Sequence, residues 1–413
     1  MANSRKDNKG RVLWKGETYR KSDGKYQFTY QDESGKRHCI YAKDLSKLRK
    51  REEELTRDRF DGISSHIAKE QTLNDIFDKY MATRHDLADR TFAGYMYQYD
   101  AYVRDAIGKR KIKSIRYSDI LIFYKRLMEE EELSFGTIEH MQRELYPAFE
   151  MAVRDCLIRT NPAHKVLGQL KKQTGAERGV RKALTPEEQN VFLTYMDKHP
   201  VYAHWKPIFV FLLGTGLRVG ELTGLTWKDI DIDECSISIN HALVYFAGKR
   251  NKSKQKVFIS KPKTLAGNRI VPMVPEVKKA LNEIKAYQDE NEIVCKSNID
   301  GYTDFVFLNR FGNVFIQYNL DRALDRIIKS YNDEALYKAK KTKEEALLLP
   351  HFTCHSLRHT FCARFCENET NIKVIQSVMG HVDIETTMNI YAEVSELKKK
   401  NSMDALADKL KLF

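Results

Sequence analysis

The chain has 413 residues, and its 70 lysines and arginines outnumber its 57 aspartates and glutamates, which gives a formal net charge of +13 at pH 7. A surplus of this size favours a polyanionic partner, above all nucleic acid, over an acidic small molecule, and the length predicts roughly two to four domains. No apolar run approaches the roughly 20 residues that span a bilayer, and Met1 to Arg11 contain no apolar signal core, so we expect a cytoplasmic protein without membrane contact.

The first sixty residues predict a small basic domain. They contain 17 lysines and arginines and 10 aspartates and glutamates, so that +7 of the total charge lies there. Aromatic and β-branched residues between Arg11 and Lys43, with turn signals at Asp23-Gly24 and Ser34-Gly35, predict three short strands, and Asp44 can cap a following helix. A basic sheet of this kind can lie in a DNA major groove, which we favour; the alternative is a solvated domain that aids solubility.

The stretch from Thr72 to about Val166 predicts a helical domain. Apolar residues recur there at helical spacing, and we expect four or five helices. The first of these apolar stripes is Leu73, Ile76, Phe77 and Tyr80. Asn161-Pro162 should end the last helix, and the basic, glycine-containing stretch 168–182 lacks periodicity, so it predicts a linker that wraps along DNA.

A further domain should begin at Thr185 and run to the C-terminus. Thr185-Pro186-Glu187-Glu188 combines an N-cap, proline at the first helical position and a capping-box glutamate. An apolar helix ends at Gly214-Thr215-Gly216, strand-like runs follow at 236–239, 257–259 and 269–271, and the remainder is helical. The sequence therefore predicts a multidomain α/β chain: a small N-terminal three-stranded sheet plus a helix, an all-α domain, and a mixed, mainly α domain with a small antiparallel sheet.

Four segments of this last domain form an ordered set. They are Arg218 in Gly216-Leu217-Arg218-Val219-Gly220-Glu221, Lys263 in the loop between two strands, His355-Ser356-Leu357-Arg358-His359, and Gly380-His381 with Tyr391 ten residues later. The set closely resembles the tyrosine recombinase, or phage-type integrase, family, and the integrases of conjugative transposons in particular. Met379 stands where the family usually has leucine, and the spacing before the tyrosine is one residue longer. Neither departure touches a catalytic atom.

The resemblance implies a DNA recombinase that integrates and excises a mobile element. In that family the tyrosine forms a 3′-phosphotyrosyl link and leaves a free 5′-hydroxyl, which conserves bond energy, so no metal ion, ATP or other cofactor is expected. The expected domains are an arm-type DNA-binding domain over 1–65, a helical core-binding domain over 70–167, a linker over 168–182 and a catalytic domain over 183–413. The expected partners are double-stranded DNA at core and arm sites, three further copies in a homo-tetramer, and a directionality factor.

Elementary chemistry explains why cations and a histidine belong at such a site. Opening a phosphodiester places extra negative charge on the non-bridging oxygens, and a rigid guanidinium fork meets two such oxygens better than a flexible ammonium does. We expect Arg218 and Arg358 to form this clamp. His381 would hold a phosphate oxygen by a hydrogen bond.

Proton transfer explains the remaining residues. An ordinary tyrosine is ionised only about one part in a thousand at neutral pH, so the nucleophile Tyr391 needs a proton acceptor or a strong positive field, and His355 with the two arginines could supply these. The leaving deoxyribose oxygen needs a proton, which a lysine close to DNA can donate. Lys263 is the candidate, with Lys261 as the alternative because both lie in one loop.

Each of these residues also has an ordinary structural interpretation. Arg218 and Glu221 could pair as a surface salt bridge, Tyr391 could be a core aromatic, and Lys263 and His381 could be solvated loop residues, but their ordered occurrence favours catalysis. His355 could be a satisfied, partly buried histidine, and we interpret His359 as structural. A type IB topoisomerase-like enzyme would use the same catalytic residues without pairing two sites, whereas a DNA-binding regulator would not need the tyrosine.

The cysteines and the C-terminal tail leave two questions open. Seven irregularly spaced cysteines argue against a secreted disulfide framework. Five residues crowd one stretch but lack zinc-finger spacing, so we do not expect a metal site; these are Cys354, His355, His359, Cys362 and Cys366. The apolar stripe of the tail could pack on its own domain or on a neighbouring protomer; it consists of Leu397, Met403, Leu406, Leu410 and Phe413.

Overall fold

The computed structural model describes residues 5–31, 35–60, 62, 70–176, 179, 182–245, 257–262, 265–343, 345–392 and 394. The chain divides into two compact units, one within Met1–Gly179 and one from Val180 onward. Within the described ranges, none of the helices is both long and apolar enough to cross a bilayer.

The N-terminal residues form the predicted three-stranded sheet with a helix on one face. Strands β1 (Glu17–Arg20), β2 (Lys25–Gln31) and β3 (Arg37–Ala42) pair antiparallel in chain order, and helix α1 follows (Leu45–Phe60). Asp44 accepts a hydrogen bond from the backbone N–H of Ser46 at the start of α1, so the predicted cap is confirmed. Alternate residues of the sheet face α1, because Tyr26 and Leu48 are buried together.

A helical bundle completes the first unit. Its main helices are α2 (Leu73–Thr83), α3 (Asp89–Gln98), α4 (Tyr117–Glu129), α5 (Phe135–Arg154) and α6 (Val166–Thr174). A π-helical turn continues α3 over Tyr99–Val103. The rings of Phe77 and Tyr99 stack in the core with centroids 3.6 Å apart. The predicted helical domain is therefore present.

Helix α6 corrects one expectation from the sequence. The stretch 168–182 was predicted to be an irregular linker, but the structure is helical as far as Thr174. The physical reason is that Val166 and Leu170, four positions apart, are both buried in the core of the bundle. Gly168 and the exposed Lys171 and Lys172 interrupt the apolar pattern and conceal this short helix in the sequence.

The second unit begins with helices and two small sheets. Its elements are α7 (Pro186–Lys198), α8 (Lys206–Thr215), α9 (Val219–Gly224), β4 (Ile230–Asp231), β5 (Ser236–Ile239), β6 (Ala242–Tyr245), β7 (Val257–Ser260) and β8 (Arg269–Pro272). Thr185 and Glu188 form the predicted capping box of α7. Both sheets are antiparallel: β5 lies between β4 and β8, and β6 pairs with β7. Strand β6 was not predicted from the sequence.

Four further helices enclose the region where the ordered motifs meet. They are α10 (Pro275–Glu290), α11 (Gln317–Thr342), α12 (Cys354–Asn368) and α13 (Ile372–Met379), and residues 384–392 form a last helix, α14. Helices α10 and α12 both pack against the apolar α8. Gly216 ends α8 in the left-handed region at φ +60°, and a Cβ there would lie 2.2 Å from Phe361 on α12, so this turn requires glycine.

Candidate active site

Arg218 lies at the start of α9, immediately after the glycine turn that ends α8. Its Nη1 donates a hydrogen bond to Glu221 Oε1 at 2.8 Å, and its Nη2 donates to the backbone carbonyl of Gly380 at 2.9 Å. The side chain is 41% exposed. The Glu221 carboxylate and the Gly380 carbonyl therefore fix one edge of an arginine that still faces solvent, where a ligand could meet its other N–H groups.

Arg358 approaches the same point from α12. Arg358 is only 3% exposed, and its two terminal nitrogens donate hydrogen bonds to the backbone carbonyls of Gly216 and Met379, each at 2.6 Å. Burial, together with the positive charge of Arg218, lowers the pKa of Arg358 to about 9. The two arginines are thus held by the same pair of turns, 216–218 and 379–380.

Glu221 and Arg269 tie this cluster together, although the sequence analysis did not identify Arg269. The buried carboxylate of Glu221 receives Nη2 of Arg269 at 2.8 Å and Nη1 at 3.1 Å, in addition to its bond from Arg218. Burial alone would raise the pKa of Glu221, but hydrogen bonds from Arg269 and the charges of both arginines outweigh it and lower the pKa to about 2. The carboxylate is therefore ionised at neutral pH.

His381 follows the left-handed Gly380 that ends α13. It is 9% exposed, and its Nδ1 lies 2.9 Å from the hydroxyl of Thr387 on α14. Burial, followed by the positive charges of Arg358 and Arg218, lowers the pKa of His381 to about 4. The imidazole is therefore neutral at pH 7, and Thr387 fixes the orientation of its ring.

His355 and Tyr391 border this cluster. His355 is exposed on α12, three residues before Arg358. Tyr391 lies on α14, four residues after Thr387, and is half-buried against the apolar cluster that includes Cys362. Since residues four apart share one helix face, the contact between Thr387 and His381 fixes the helix that bears the tyrosine.

Of the two candidate loop lysines, the structure describes only Lys261. Lys263 lies outside the described residues, and Lys261 is exposed beside a polar cavity of about 710 Å³ that Lys228 and Asn268 also line. The carbonyl oxygen of Ala266, three residues after Lys263, lies 3.1 Å from the position that a Cβ on Gly380 would take. The described end of the loop therefore packs against the turn that holds both arginines.

The structure brings Arg218, Arg358 and His381 together and places His355 and Tyr391 on the adjoining helices. Two guanidinium groups and a neutral imidazole at one point can hold a phosphate diester, and a phenol on the neighbouring helix can attack it. The thiols of Cys354, Cys362 and Cys366 are buried in apolar clusters.

Two residues of this site escaped the sequence analysis. Arg269 gave no local signal, because its partner Glu221 lies 48 positions earlier in the chain. Thr387 could have been found from its position four residues before Tyr391, on the same helix face.

Two family descriptions match the chain. Residues 182–398 match the phage integrase family, and residues 1–59 match the DNA binding domain of Tn916 integrase. Among curated relatives, the chain is 33% identical to the transposase from transposon Tn1545 of Streptococcus pneumoniae and 32% identical to the transposase from transposon Tn916 of Enterococcus faecalis. Each of these matches covers 97% of this chain and 98% of the relative.

Solved structures give a consistent result. The Tn1549 transposon integrase in complex with a circular intermediate DNA matches with a TM-score of 0.68 and 30% identity, over 80% of this chain and 99% of that chain. A lambda integrase dimer bound to a core site matches with a TM-score of 0.52 and 17% identity, over 92% of this chain and 95% of that chain, which shows a similar fold.

Proposed function

The chain belongs to the phage integrase family, and we propose that it acts as a tyrosine-type site-specific recombinase, which cuts and rejoins DNA strands and so integrates and excises a mobile element. The observation that supports this most directly is the meeting of Arg218, Arg358 and His381 at the turns 216–218 and 379–381, beside the helix that bears Tyr391. A protein that only binds DNA has no need of this nucleophile.

We propose that Tyr391 attacks the scissile phosphorus while Arg218 and Arg358 stabilise the charge on the non-bridging oxygens. Both arginines are already held by backbone carbonyls, so little reorganisation is needed when a phosphate enters. His381 is neutral, and if the Thr387 hydroxyl donates to its Nδ1, its Nε2–H can donate to a phosphate oxygen.

Two proton transfers complete the proposed reaction. His355, exposed on α12, accepts the proton of the Tyr391 hydroxyl, either directly or through water. The 5′-oxygen of the leaving strand takes a proton from Lys263 or Lys261 as the phosphorus–oxygen bond breaks. The products are a 3′-phosphotyrosyl link and a 5′-hydroxyl, and attack by another strand's 5′-hydroxyl reverses the step. Neither transfer requires a metal ion or another cofactor.

We assign the domains as the sequence predicts: arm-type DNA binding over 1–65, core-type DNA binding over 70–167, a linker over 168–182 that is helical as far as Thr174, and catalysis over 183–413. The outer face of the N-terminal sheet, opposite α1, supports the first assignment. It presents Arg20, Thr29, Arg37 and Tyr41, and the guanidinium of Arg20 lies over the Tyr41 ring. Cations and hydrogen-bond donors on a small sheet suit a DNA groove.

We propose that the active assembly is a homo-tetramer on two DNA sites in the cytoplasm, with a directionality factor as a further partner. Exchange between two duplexes cuts four strands, and each cut needs one tyrosine. The tail that could join protomers in the tetramer, from Leu397 onward, lies outside the described residues.

A suicide substrate tests the proposed chemistry. The probe is a nicked duplex made from the DNA that flanks the gene, incubated with the full chain in excess EDTA. We expect a covalent protein–DNA adduct. Tyr391→Phe should abolish the adduct while DNA binding persists, and Tyr337→Phe, which alters an exposed tyrosine on α11, should leave it unchanged.

Two outcomes would contradict the proposal: an adduct that persists in Tyr391→Phe, or an adduct that forms only when a divalent ion is added. Rapid and complete relaxation of a supercoiled plasmid without the flanking sequences would instead indicate a topoisomerase.

A further inference from the structure

Arg269 is a buried arginine whose contacts all lie within the cluster that surrounds Arg218. Its side chain is 4% exposed. Besides its fork to Glu221, its Nε donates to the carbonyl of Val378 at 2.8 Å, and its Nη1 lies 3.4 Å from the carbonyl of Gly267. All three nitrogens of Arg269 therefore donate within the protein, two of them to one carboxylate, whereas the terminal nitrogens of Arg358 donate only to backbone carbonyls in the described structure and Arg218 is 41% exposed.

Each carboxylate oxygen of Glu221 accepts hydrogen bonds from both Arg218 and Arg269. Its Oε1 accepts from Nη1 of Arg218 at 2.8 Å and from Nη1 of Arg269 at 3.1 Å. Its Oε2 accepts from the backbone N–H of Arg218 at 2.9 Å and from Nη2 of Arg269 at 2.8 Å. The carboxylate therefore orients Arg218 by two bonds, while Arg269 provides a second positive charge on the buried side.

The charges explain why this second partner matters. Without Arg269, Glu221 would keep only Arg218 and, at 4.0 Å, Arg358 as counter-ions, and the field that these two arginines direct at a phosphate would be weakened. A buried cation that neutralises Glu221 leaves the charge of Arg218 available for the ligand. With Arg269 the group of Arg218, Arg358, Arg269 and Glu221 carries a formal charge of +2, and without Arg269 it carries +1.

From this geometry we propose that Arg269 is a positioning residue for DNA cleavage: it is the dedicated counter-ion of Glu221, and it thereby lets Glu221 orient Arg218 without neutralising it. The inference rests on the proposed function, because it assumes that Arg218 stabilises charge on the scissile phosphate. Arg269 itself contacts neither DNA nor the reacting atoms.

Two chemically altered duplexes separate this role from a merely structural one. In the first, a methyl group replaces one non-bridging oxygen of the scissile phosphate, which removes negative charge and reduces the need for cationic stabilisation. In the second, sulfur replaces the bridging 5′-oxygen, and a thiolate leaves without needing a proton. In every duplex Tyr391 forms the new bond to phosphorus and the bond to the 5′ atom breaks, so one assay of the covalent adduct covers all three substrates.

The expected result for Arg269→Gln is a specific pattern of rates. Relative to the parent chain, cleavage of the ordinary duplex should slow by about 100-fold, the scale of losing one electrostatic stabiliser. The loss should shrink to less than about tenfold on the methyl duplex and persist on the sulfur duplex. Arg218→Gln should show the same pattern, because both variants weaken the same charge.

A matched control is Arg364→Gln on α12, which removes a partly buried arginine bonded to Glu367 and to the carbonyl of Leu184. Any loss it causes should be equal on the three duplexes. An equal loss for Arg269→Gln would overturn the proposal and assign Arg269 a structural role, and relief by sulfur instead of methyl would overturn it in favour of a role at the leaving group. No loss at all would also overturn it.

A second measurement tests the link through Glu221. If uncompensated Glu221 is what impairs the Arg269→Gln variant, the double variant Glu221→Gln/Arg269→Gln should be no slower than the slower single variant. Multiplied losses would contradict the proposal. Should Arg269→Gln fail to fold, Arg269→Lys keeps the charge but not the fork, so the proposal expects it to lose less than about tenfold on the ordinary duplex. A loss of about 100-fold that is equal on the three duplexes would overturn the proposal. Adduct formation by the parent chain, with none in Tyr391→Phe, tests the proposed function separately.

Discussion

The buried carboxyl group of Glu144 makes the stability of the first unit depend on pH. Glu144 lies on α5 and is 2% exposed, and among the described residues none donates a hydrogen bond to its Oε2. Burial raises the pKa of this carboxyl to about 9 from an ordinary value of 4.5. The group is therefore neutral in the folded protein at pH 7 and ionised in the unfolded chain.

The sign and size of the effect follow from proton linkage. Between pH 5 and pH 8 the folded state holds a proton that the unfolded state has released, so the free energy of unfolding falls as the pH rises. One proton corresponds to about 1.4 kcal/mol per pH unit, or about 4 kcal/mol over this window. Glu144→Gln should remove that slope. The unpaired amide costs about 1 to 3 kcal/mol, so the variant should be less stable at pH 5 and more stable at pH 8.

Urea unfolding of the full chain at four pH values between 5 and 8 measures this difference, and hydrogen exchange of Phe135–Arg154 assigns the transition to the first unit. Glu129→Gln is the matched control, because Glu129 is exposed at the end of α4 and its loss should leave the slope as it is. A Glu144→Gln variant with the slope of the parent chain would refute the reasoning.

Three further predictions concern the catalytic cluster. Arg218→Lys should bind DNA normally but form the covalent adduct about 100-fold more slowly, because an ammonium cannot reproduce the guanidinium fork; equal rates in single-turnover assays would count against the clamp. Thr387→Val should slow adduct formation by about tenfold without weakening DNA binding, since the His381 ring loses its hydroxyl partner and the remaining donors still act. An unchanged rate would remove Thr387 from the site. Gly216→Ala should lower the free energy of unfolding by about 1 to 3 kcal/mol in urea titrations, because the new Cβ meets Phe361 in a left-handed turn; unchanged stability would show that the turn relaxes.

Local signals account for the parts of the fold that the sequence predicted. The N-terminal strands show alternation and clear turn residues, and the start of α7 has a complete capping box at Thr185. The helix α6 was missed because only Val166 and Leu170 show its buried face. Strand β6 was missed because it starts three residues after Ile239 and its partner β7 begins only at Val257, so no local turn signal marks the pair.

Motif spacing predicted which residues the structure brings together, but not how they are held. Arg218, Arg358 and His381 were identified from short patterns, each recognisable within a few residues. The two arginines donate hydrogen bonds to backbone carbonyls, among them those of Gly216 and Gly380. No side-chain pattern in a sequence can reveal such contacts. The ion pair between Glu221 on α9 and Arg269 on β8 is a tertiary contact, and it becomes visible only when the chain is folded.

The sequence left two interpretations of Arg218 open, a salt bridge with Glu221 and a phosphate clamp, and in the structure the first does not exclude the second. The ion pair exists, and Glu221 is buried and also paired with Arg269, so under our proposal the bond orients Arg218 without neutralising it. The same ion pair at the protein surface would not hold the arginine in one orientation, because solvent screens the attraction and leaves the side chain mobile. We therefore propose that the burial of Glu221, which only the fold determines, makes the structural contact a condition for the catalytic one.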